Sequence, residues 1–383
     1  MEYLSPRSDE FLKSKGRVTT LGMFIIDHYA IRDENGNEIM TEEESIGGGG
    51  VFAMISARMF LPPKQCGLII DKGYDFPQKF INTLKNYGEE MIWFRNRPDK
   101  TTRALNIYSG SKIGEGHQSF KYLSNRINLF PNDLILNPST PFINENENNL
   151  PEYIHLVCNI ERAKLIINEI KNINLKEINK INNKIWNPKL IWEPMPSSCI
   201  SSEIENILEI ISNFLIFSPN LIELQSILGI TSSSSNNSKN NPTKKDVENS
   251  IKILINLFSK KYENTNIPCI IIRSGELGSY TFSKNWKGWI PPYYDFNKQY
   301  KVIDTTGGGN SFLGGLAAGL LISNDDMRIA SIYAATAASF TIEQRGLPSL
   351  SKSPDGERWN DDDVWRRLRE LASRVEKVNS DQP

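Results

Sequence analysis

The stretch Val302–Ile322, V-I-D-T-T-G-G-G-N-S-F-L-G-G-L-A-A-G-L-L-I, narrows the folds open to this chain more than any other. Tyr300–Ile303 reads as a short strand end, and Gly307, Gly308 and Gly309 as a turn no bulky residue could make. Ser311 then begins a helix of small and apolar side chains. Successive glycines let backbone N–H groups point into one cavity, and a helix start adds unpaired N–H groups and its dipole. The segment therefore has the form of an anion hole. The alternative is a tight turn ahead of a buried helix.

Neighbouring segments decide what fold surrounds it. Arg17–Ile26 reads as a buried strand that ends on Asp27, where a carboxylate would face a ligand crevice or cap a turn. Tyr29–Met40, with Asn35-Gly36 between semi-apolar runs, predicts a hairpin that leaves the main sheet. Ile46–Leu61 is a second glycine turn, Gly47 to Gly50, running into an apolar helix; a flexible joint is its other reading. Strands at Cys66–Asp71, Met91–Phe94, Thr101–Tyr108, Ile154–Cys158, Lys189–Trp192 and Pro268–Arg273 alternate with helices at Phe76–Tyr87, Glu161–Ile173, Glu203–Asn213 and Val247–Lys260. That rhythm predicts an α/β fold with a mainly parallel sheet.

Ser218–Glu223, S-P-N-L-I-E, ends one strand and starts a helix with Asn220 and Glu223 on one face. The pair suits a hydrated Mg²⁺ or a phosphate-bound water, or else an N-terminal turn stabilised by the two side chains. Residues 231–247 are polar and of low complexity and read as an exposed disordered insertion. Ser274–Phe282 turns at Gly275 and Gly278 into an antiparallel neighbour, Arg328–Phe340 is a small-residue helix, and Trp359–Lys377 is an amphipathic helix expected to dock on the body.

With 44 basic and 45 acidic side chains and a net charge of -1, nothing marks a nucleic-acid or anionic-membrane surface. Residues 1–15 are charged, lack an apolar signal core and read as a flexible N-terminus, and the apolar run Phe312–Ile322 is too short to span a bilayer. A cytoplasmic protein is expected. Cys66, Cys158, Cys199 and Cys269 are far apart, as are His28, His117 and His155, which argues against a zinc site and for reduced thiols in packed strands.

The three glycine- and asparagine-bearing segments, in this order, resemble the ribokinase/pfkB family of sugar and nucleoside kinases over roughly Arg17–Leu347. Gly47–Gly50 is similar to its first glycine loop, Ser218–Glu223 to its N-x-x-E element, and Asp304–Phe312 to its D-T-x-G-A-G-D-x-F signature. The texture of residues 47–63 and of Ala337–Pro348 resembles a fungal, maintenance-of-killer pfkB-like branch. The resemblance implies a three-layer α/β/α domain over residues 16–350, with a small β lid near 28–46 and 95–110 and a C-terminal tail over 351–383. It also implies ATP and Mg²⁺ as cofactors and a sugar-like or nucleoside-like acceptor, and it admits a homodimer through the lid. On that basis Asp27, Gly48, Gly49 and Asp304 would line the acceptor site. Asn220, Glu223, Gly275 and Gly278 would hold the nucleotide, Glu223 would reach Mg²⁺ through water, and Gly307–Gly309 would form the anion hole.

Two positions depart from the family pattern. Asn310 stands where the family has its catalytic Asp, and Phe52 where its glycine signature has Asn. An amide cannot take a proton, so base assistance worth typically ~10²–10⁴-fold would be missing from residue 310. Two functions follow: a pfkB-type kinase, or a pseudokinase that works through a protein partner. A dinucleotide-dependent oxidoreductase is disfavoured, because the glycines lack G-x-G-x-x-G spacing and lie late in the chain.

Overall fold

The computed structural model describes residues 2–13, 15–109, 117–135, 150–176, 185–230, 242–262, 267–354 and 356–380. Helix α1 (Asp9–Lys13) leads into β1 (Arg17–Thr20), and the chain then leaves through β2 (Ile25–Arg32) and β3 (Glu38–Gly47) before α2 (Gly49–Arg58) brings it back. Next come β4 (Cys66–Lys72), α3 (Gln78–Tyr87), β5 (Ile92–Asn96), β6 (Arg103–Tyr108), β7 (His117–Tyr122) and α4 (Pro131–Ile135). The central run is β8 (Pro151–Cys158), α5 (Ile160–Lys176), β9 (Lys189–Pro194), α6 (Ile204–Ile210), β10 (Ile216–Phe217), α7 (Leu221–Ile227) and α8 (Lys244–Lys261). Strands β11 (Cys269–Arg273), β12 (Ser279–Phe282) and β13 (Lys287–Ile290) precede α9 (Gly308–Ser323) and α10 (Met327–Ile342). The hairpin β14 (Leu350–Ser353) and β15 (Gly356–Trp359) and the helix α11 (Val364–Ser380) follow.

Nine strands make the main sheet in the order β13-β12-β11-β10-β9-β8-β1-β4-β5, parallel from β5 to β11 and antiparallel at β12 and β13. One apolar layer on the sheet gathers α2, α3, α9, α10 and α11, including Met54, Leu316, Tyr333, Phe340 and Leu371. A second gathers α5, α6, α7 and α8, including Ile166, Leu208, Leu224 and Leu254. The three-layer α/β/α fold is thus as expected. Buried strands such as Cys66–Ile70 carry continuous apolar runs because helices cover both faces.

A separate four-stranded sheet, β3-β2-β6-β7, stands where the β lid is expected. It alters two readings. Arg17–Ile26 is not one strand: β1 ends at Thr20, and Asp27 lies inside lid strand β2 rather than at the end of the first parallel strand. Gly22 makes the break possible, since a Cβ there would come within 2.7 Å of Gly50 N. The expected lid segment near 95–110 begins later, because residues through Asn96 belong to β5.

Other boundaries also move. Tyr300–Ile303 is not a strand end; Phe296–Lys301 is a 3₁₀ turn capped by Asp295. The first residues are folded, with Leu12 buried and the Tyr333 hydroxyl donating to the Tyr3 carbonyl. The helix expected over Glu203–Asn213 is α only at Ile204–Ile210, flanked by 3₁₀ turns. Trp359 sits in β15, not in the C-terminal helix, which docks as expected through Val364, Leu368, Leu371 and Val375. Helix α8 begins at Lys244 on a Thr243–Asp246 capping box, so the polar insertion ends before residue 247, and residues 231–241 lie outside the described residues. All four cysteines are free and buried, though Cys199 follows a 3₁₀ turn rather than lying in a strand. Among the described residues no helix is long and apolar enough to cross a membrane.

Candidate active site

The site lies at the C-terminal ends of β8, β9 and β11, where parallel strands leave a crevice. Helix α9 starts at Gly308, three residues before the expected Ser311, with Gly307 as its N-cap at φ 76°, in the left-handed region. A Cβ at 307 would also lie 2.5 Å from the Phe52 ring, so glycine is needed there twice over. Gly308 N–H donates to Thr305 and Ser311 N–H to Gly307. The N–H groups of Gly309 and Asn310 are left without a backbone acceptor among the described residues, and a glycine cradle of this kind suits an anion.

A cavity of 240 Å³ opens beside this cradle. Gly275 and Gly278 of the β11–β12 turn line it together with Gly308, Gly309, Tyr293 and Tyr294. Three buried polar atoms at this turn, Arg273 Nε, Ser274 Oγ and Ser279 Oγ, lack hydrogen-bond partners. Orphaned donors against a glycine cradle fit the phosphates of a nucleotide, and the two tyrosines offer flat apolar surface for its base. The loop of Tyr293 and Tyr294 is held from behind by α11. Arg367 donates to Tyr294 Oη (3.0 Å), Glu343 (2.9 Å) and Asp362 (2.7 Å), and Arg374 to the Tyr293 carbonyl (2.9 Å).

Under the cradle lies a charged network. Asn310 Nδ2 donates to Glu193 Oε2 at 2.7 Å, and Glu193 Oε1 pairs with Arg273 Nη1 at 2.8 Å. His155 Nε2 stands 3.4 Å from Glu193 Oε2, and its Nδ1 is 3.1 Å from Thr20 Oγ1. Burial alone would push the Glu193 carboxyl up, but Arg273, His155 and Asn310 hold it below its ordinary value. Arg273 also donates to the Ser218 carbonyl (3.0 Å), and its guanidinium lies against Gly309, where any Cβ would collide with it. Asn310 in turn packs on Gly49: a Cβ there would be 2.7 Å from Nδ2. The two glycine helix starts thus meet across Asn310.

Asn220 and Glu223 sit apart from the cavity lining and form a reciprocal capping box on α7. Glu223 N–H donates to Asn220 Oδ1 (2.8 Å) and Asn220 N–H to Glu223 Oε2 (2.7 Å). Glu223 reaches Arg273 only at 3.6 Å, and burial raises its carboxyl. The weaker partnering is why it shifts opposite to Glu193. Among the described residues no trio of His, Cys, Asp and Glu gathers to hold a metal. The donors present fit Mg²⁺ only as an ion carried by phosphates, with any contact from Glu223 running through water.

Asp27, on strand β2, and Asp304 are both buried. Burial raises the Asp27 carboxyl to about 7, with the Asn106 side chain opposing the rise and Asp304 adding to it. Asp27 Oδ1 and Asn106 Nδ2 are both unpaired, and the carboxyl packs on Gly47, leaving no room for a Cβ there. Asp304 Oδ1 accepts from Thr306 N–H (2.9 Å), and Thr306 Oγ1 lies 3.2 Å from the Tyr108 hydroxyl. Gly48, at φ 96°, begins the turn into α2. The sequence reading did not place Glu193, Arg273, His155, Asn106 or the two tyrosines in the site. A carboxylate and a guanidinium each ending a parallel strand were the available signal for the first two.

The family model described as pfkB family carbohydrate kinase matches residues 133–353. Protein MAK32 of Saccharomyces cerevisiae is 30% identical over 363 residues, covering 92% of this chain and 91% of the relative. An uncharacterized protein of Schizosaccharomyces pombe is 29% identical over 369 residues, with the same coverage of 92% and 91%. Among solved structures, the Methanocaldococcus jannaschii nucleoside kinase, titled an archaeal member of the ribokinase family, superposes with a TM-score of 0.55. It is 17% identical, over 93% of this chain and 99% of that one.

Proposed function

The chain belongs to the pfkB family of carbohydrate kinases, and from that membership we propose that it moves the γ-phosphoryl group of ATP to a hydroxyl of a sugar-like or nucleoside-like molecule. The observation that supports the reading is the cavity at the start of α9, lined by Gly308 and Gly309 and by Arg273, Ser274 and Ser279 with their orphaned polar atoms. ATP supplies the phosphoryl group, with Mg²⁺ on its phosphates. The chain's own groups do the rest. Gly309 and Asn310 N–H groups and the α9 dipole would hold developing negative charge. Asp27, Asn106 and Asp304 would bind acceptor hydroxyls, with Gly48 and Gly49 allowing the close turn into α2 beside them. Phe52 fills space beside Gly307 and makes that wall apolar, which disfavours an acceptor needing a polar contact there.

A second reading, a pseudokinase that binds nucleotide and acts through a protein partner, draws on Asn310, which offers no carboxylate at the first turn of α9. Both readings take the protein to be cytoplasmic, with no nucleic-acid or membrane partner, and a homodimer through the lid is compatible with either.

Binding of Mg·ATP to the purified chain, by calorimetry with a thermal-shift check, tests the reading without choosing an acceptor. Nucleotide at 100 times its dissociation constant should add about 2.7 kcal/mol to stability. No binding at millimolar Mg·ATP refutes the kinase reading. Binding without transfer to any of a broad panel of acceptors favours the pseudokinase.

A further inference from the structure

We propose that Glu193 is the general base of the transfer, an inference that rests on the phosphotransfer reading above. As the acceptor oxygen bonds to phosphorus and the bridging P–O bond to the leaving nucleoside diphosphate breaks, the hydroxyl proton must pass to a base beside the anion cradle. Glu193 Oε2 accepts that proton and later returns it to solvent.

Three buried carboxylates surround the chamber, and only one adjoins the cradle. Asp27 lies on the lid against Gly47, and Asp304 is engaged by Thr306. Glu193 Oε1 is 3.6 Å from where a Cβ of Gly309 would sit, and Oε2 is 2.7 Å from the Asn310 amide, which itself rests on Gly49. The carboxylate therefore stands directly beneath the first turn of α9, one hydrogen bond from the amide that bridges the two glycine helix starts. It ends the fifth of nine strands, at the middle of the sheet. Asn310 cannot take a proton and spends its amide hydrogen on Glu193. Its remaining oxygen can orient a hydroxyl but not deprotonate it.

The pair is also interlocked. An Asp at 310 would set two carboxylates at hydrogen-bond distance in a buried site, and they would share one proton rather than supply a second base. Amide and carboxylate can therefore be exchanged together but not singly.

The test compares the full-length wild type with E193Q, N310D and the E193Q/N310D double variant. Three quantities are read: the Mg·ATP dissociation constant, phosphoryl transfer to a panel of acceptors and to water, and urea midpoints at pH 5 and pH 8. E193Q should keep its ATP affinity within about threefold and lose about 10²-fold or more in turnover. N310D should gain no activity, and its midpoint should drop more at pH 8 than at pH 5. The double variant should recover turnover to within about tenfold of wild type, together with the midpoint. Turnover retained in E193Q, or a double variant no better than E193Q, overturns the assignment. So does a wild type that binds Mg·ATP and transfers to no acceptor. Failure of the wild type to bind Mg·ATP overturns the phosphotransfer reading itself.

Discussion

Asp27→Asn is expected to stabilise this fold at pH 8 and to leave it almost unchanged at pH 4. Burial carries the Asp27 carboxyl from 3.8 to about 7, a displacement of about three pKa units. At 1.36 kcal/mol per unit, holding the charged form inside the folded chain costs about 4 kcal/mol at pH 8. Below pH 4 folded and unfolded chains both keep the proton, and the penalty is absent. Between pH 4 and pH 7 the unfolded chain has lost the proton that the folded chain retains, so stability falls as pH rises, and above 7 the loss is complete. An amide has the same shape without the charge but brings its own unpaired polar atoms, so a gain of about 2–3 kcal/mol is the realistic figure. With a urea m-value of about 3 kcal/mol/M, the midpoint at pH 8 should rise by up to about 1 M. Urea titrations of wild type and D27N at half-unit steps from pH 4 to pH 8.5 give a difference curve in which other titrating groups cancel. A flat curve refutes the account of Asp27 as an uncompensated buried acid. The stabilised variant should also lose acceptor binding, since an unpaired buried carboxyl is kept at a cost in stability where it meets a ligand.

Adding a methyl group at Gly309 should push the Arg273 guanidinium off the cradle; G309A is expected to weaken Mg·ATP binding by about tenfold or more in calorimetry. Glu223→Ala removes half of the capping box and should cost about 1 kcal/mol in denaturation, with the Mg²⁺ dependence of nucleotide binding retained if the ion travels on the phosphates. Arg367→Ala leaves Glu343 with Asn360 and Tyr294 and Asp362 with Arg366, and frees the Tyr294 loop from behind; a loss of about 3 kcal/mol, with weaker nucleotide binding, is expected. If Glu193 is the base, its lowered pKa sets the acid limb of the turnover profile below the ordinary glutamate range of about 4.3, and a limb above that range refutes the assignment.

Much of the fold was legible because burial writes a short-range pattern. Apolar runs such as Cys66–Asp71 and Ile154–Cys158 are strands covered on both faces, and glycine turns at Gly47–Gly50 and Gly307–Gly309 precede helices, as read. Boundaries failed where the only turn signal was a lone glycine: β1 passes into β2 through Leu21–Phe24, where the apolar neighbours of Gly22 read like more strand. Asn220 and Glu223 show the opposite limit. Their spacing fits both a phosphate-handling pair and a capping box, and the reciprocal bonds on α7 show that the box forms.

By itself the sequence determined the layered architecture, the two glycine helix starts and the amide at 310, because these depend on residues adjacent in the chain. Tertiary structure alone decided which side chains share the site. Glu193, Arg273 and Asn310 are separated by up to 117 positions and meet because β9 and β11 are parallel and end at the same edge as the start of α9. The charge state of Asp27 is likewise a property of the closed fold, since the lid that strips its water is built from strands drawn from both ends of a long excursion.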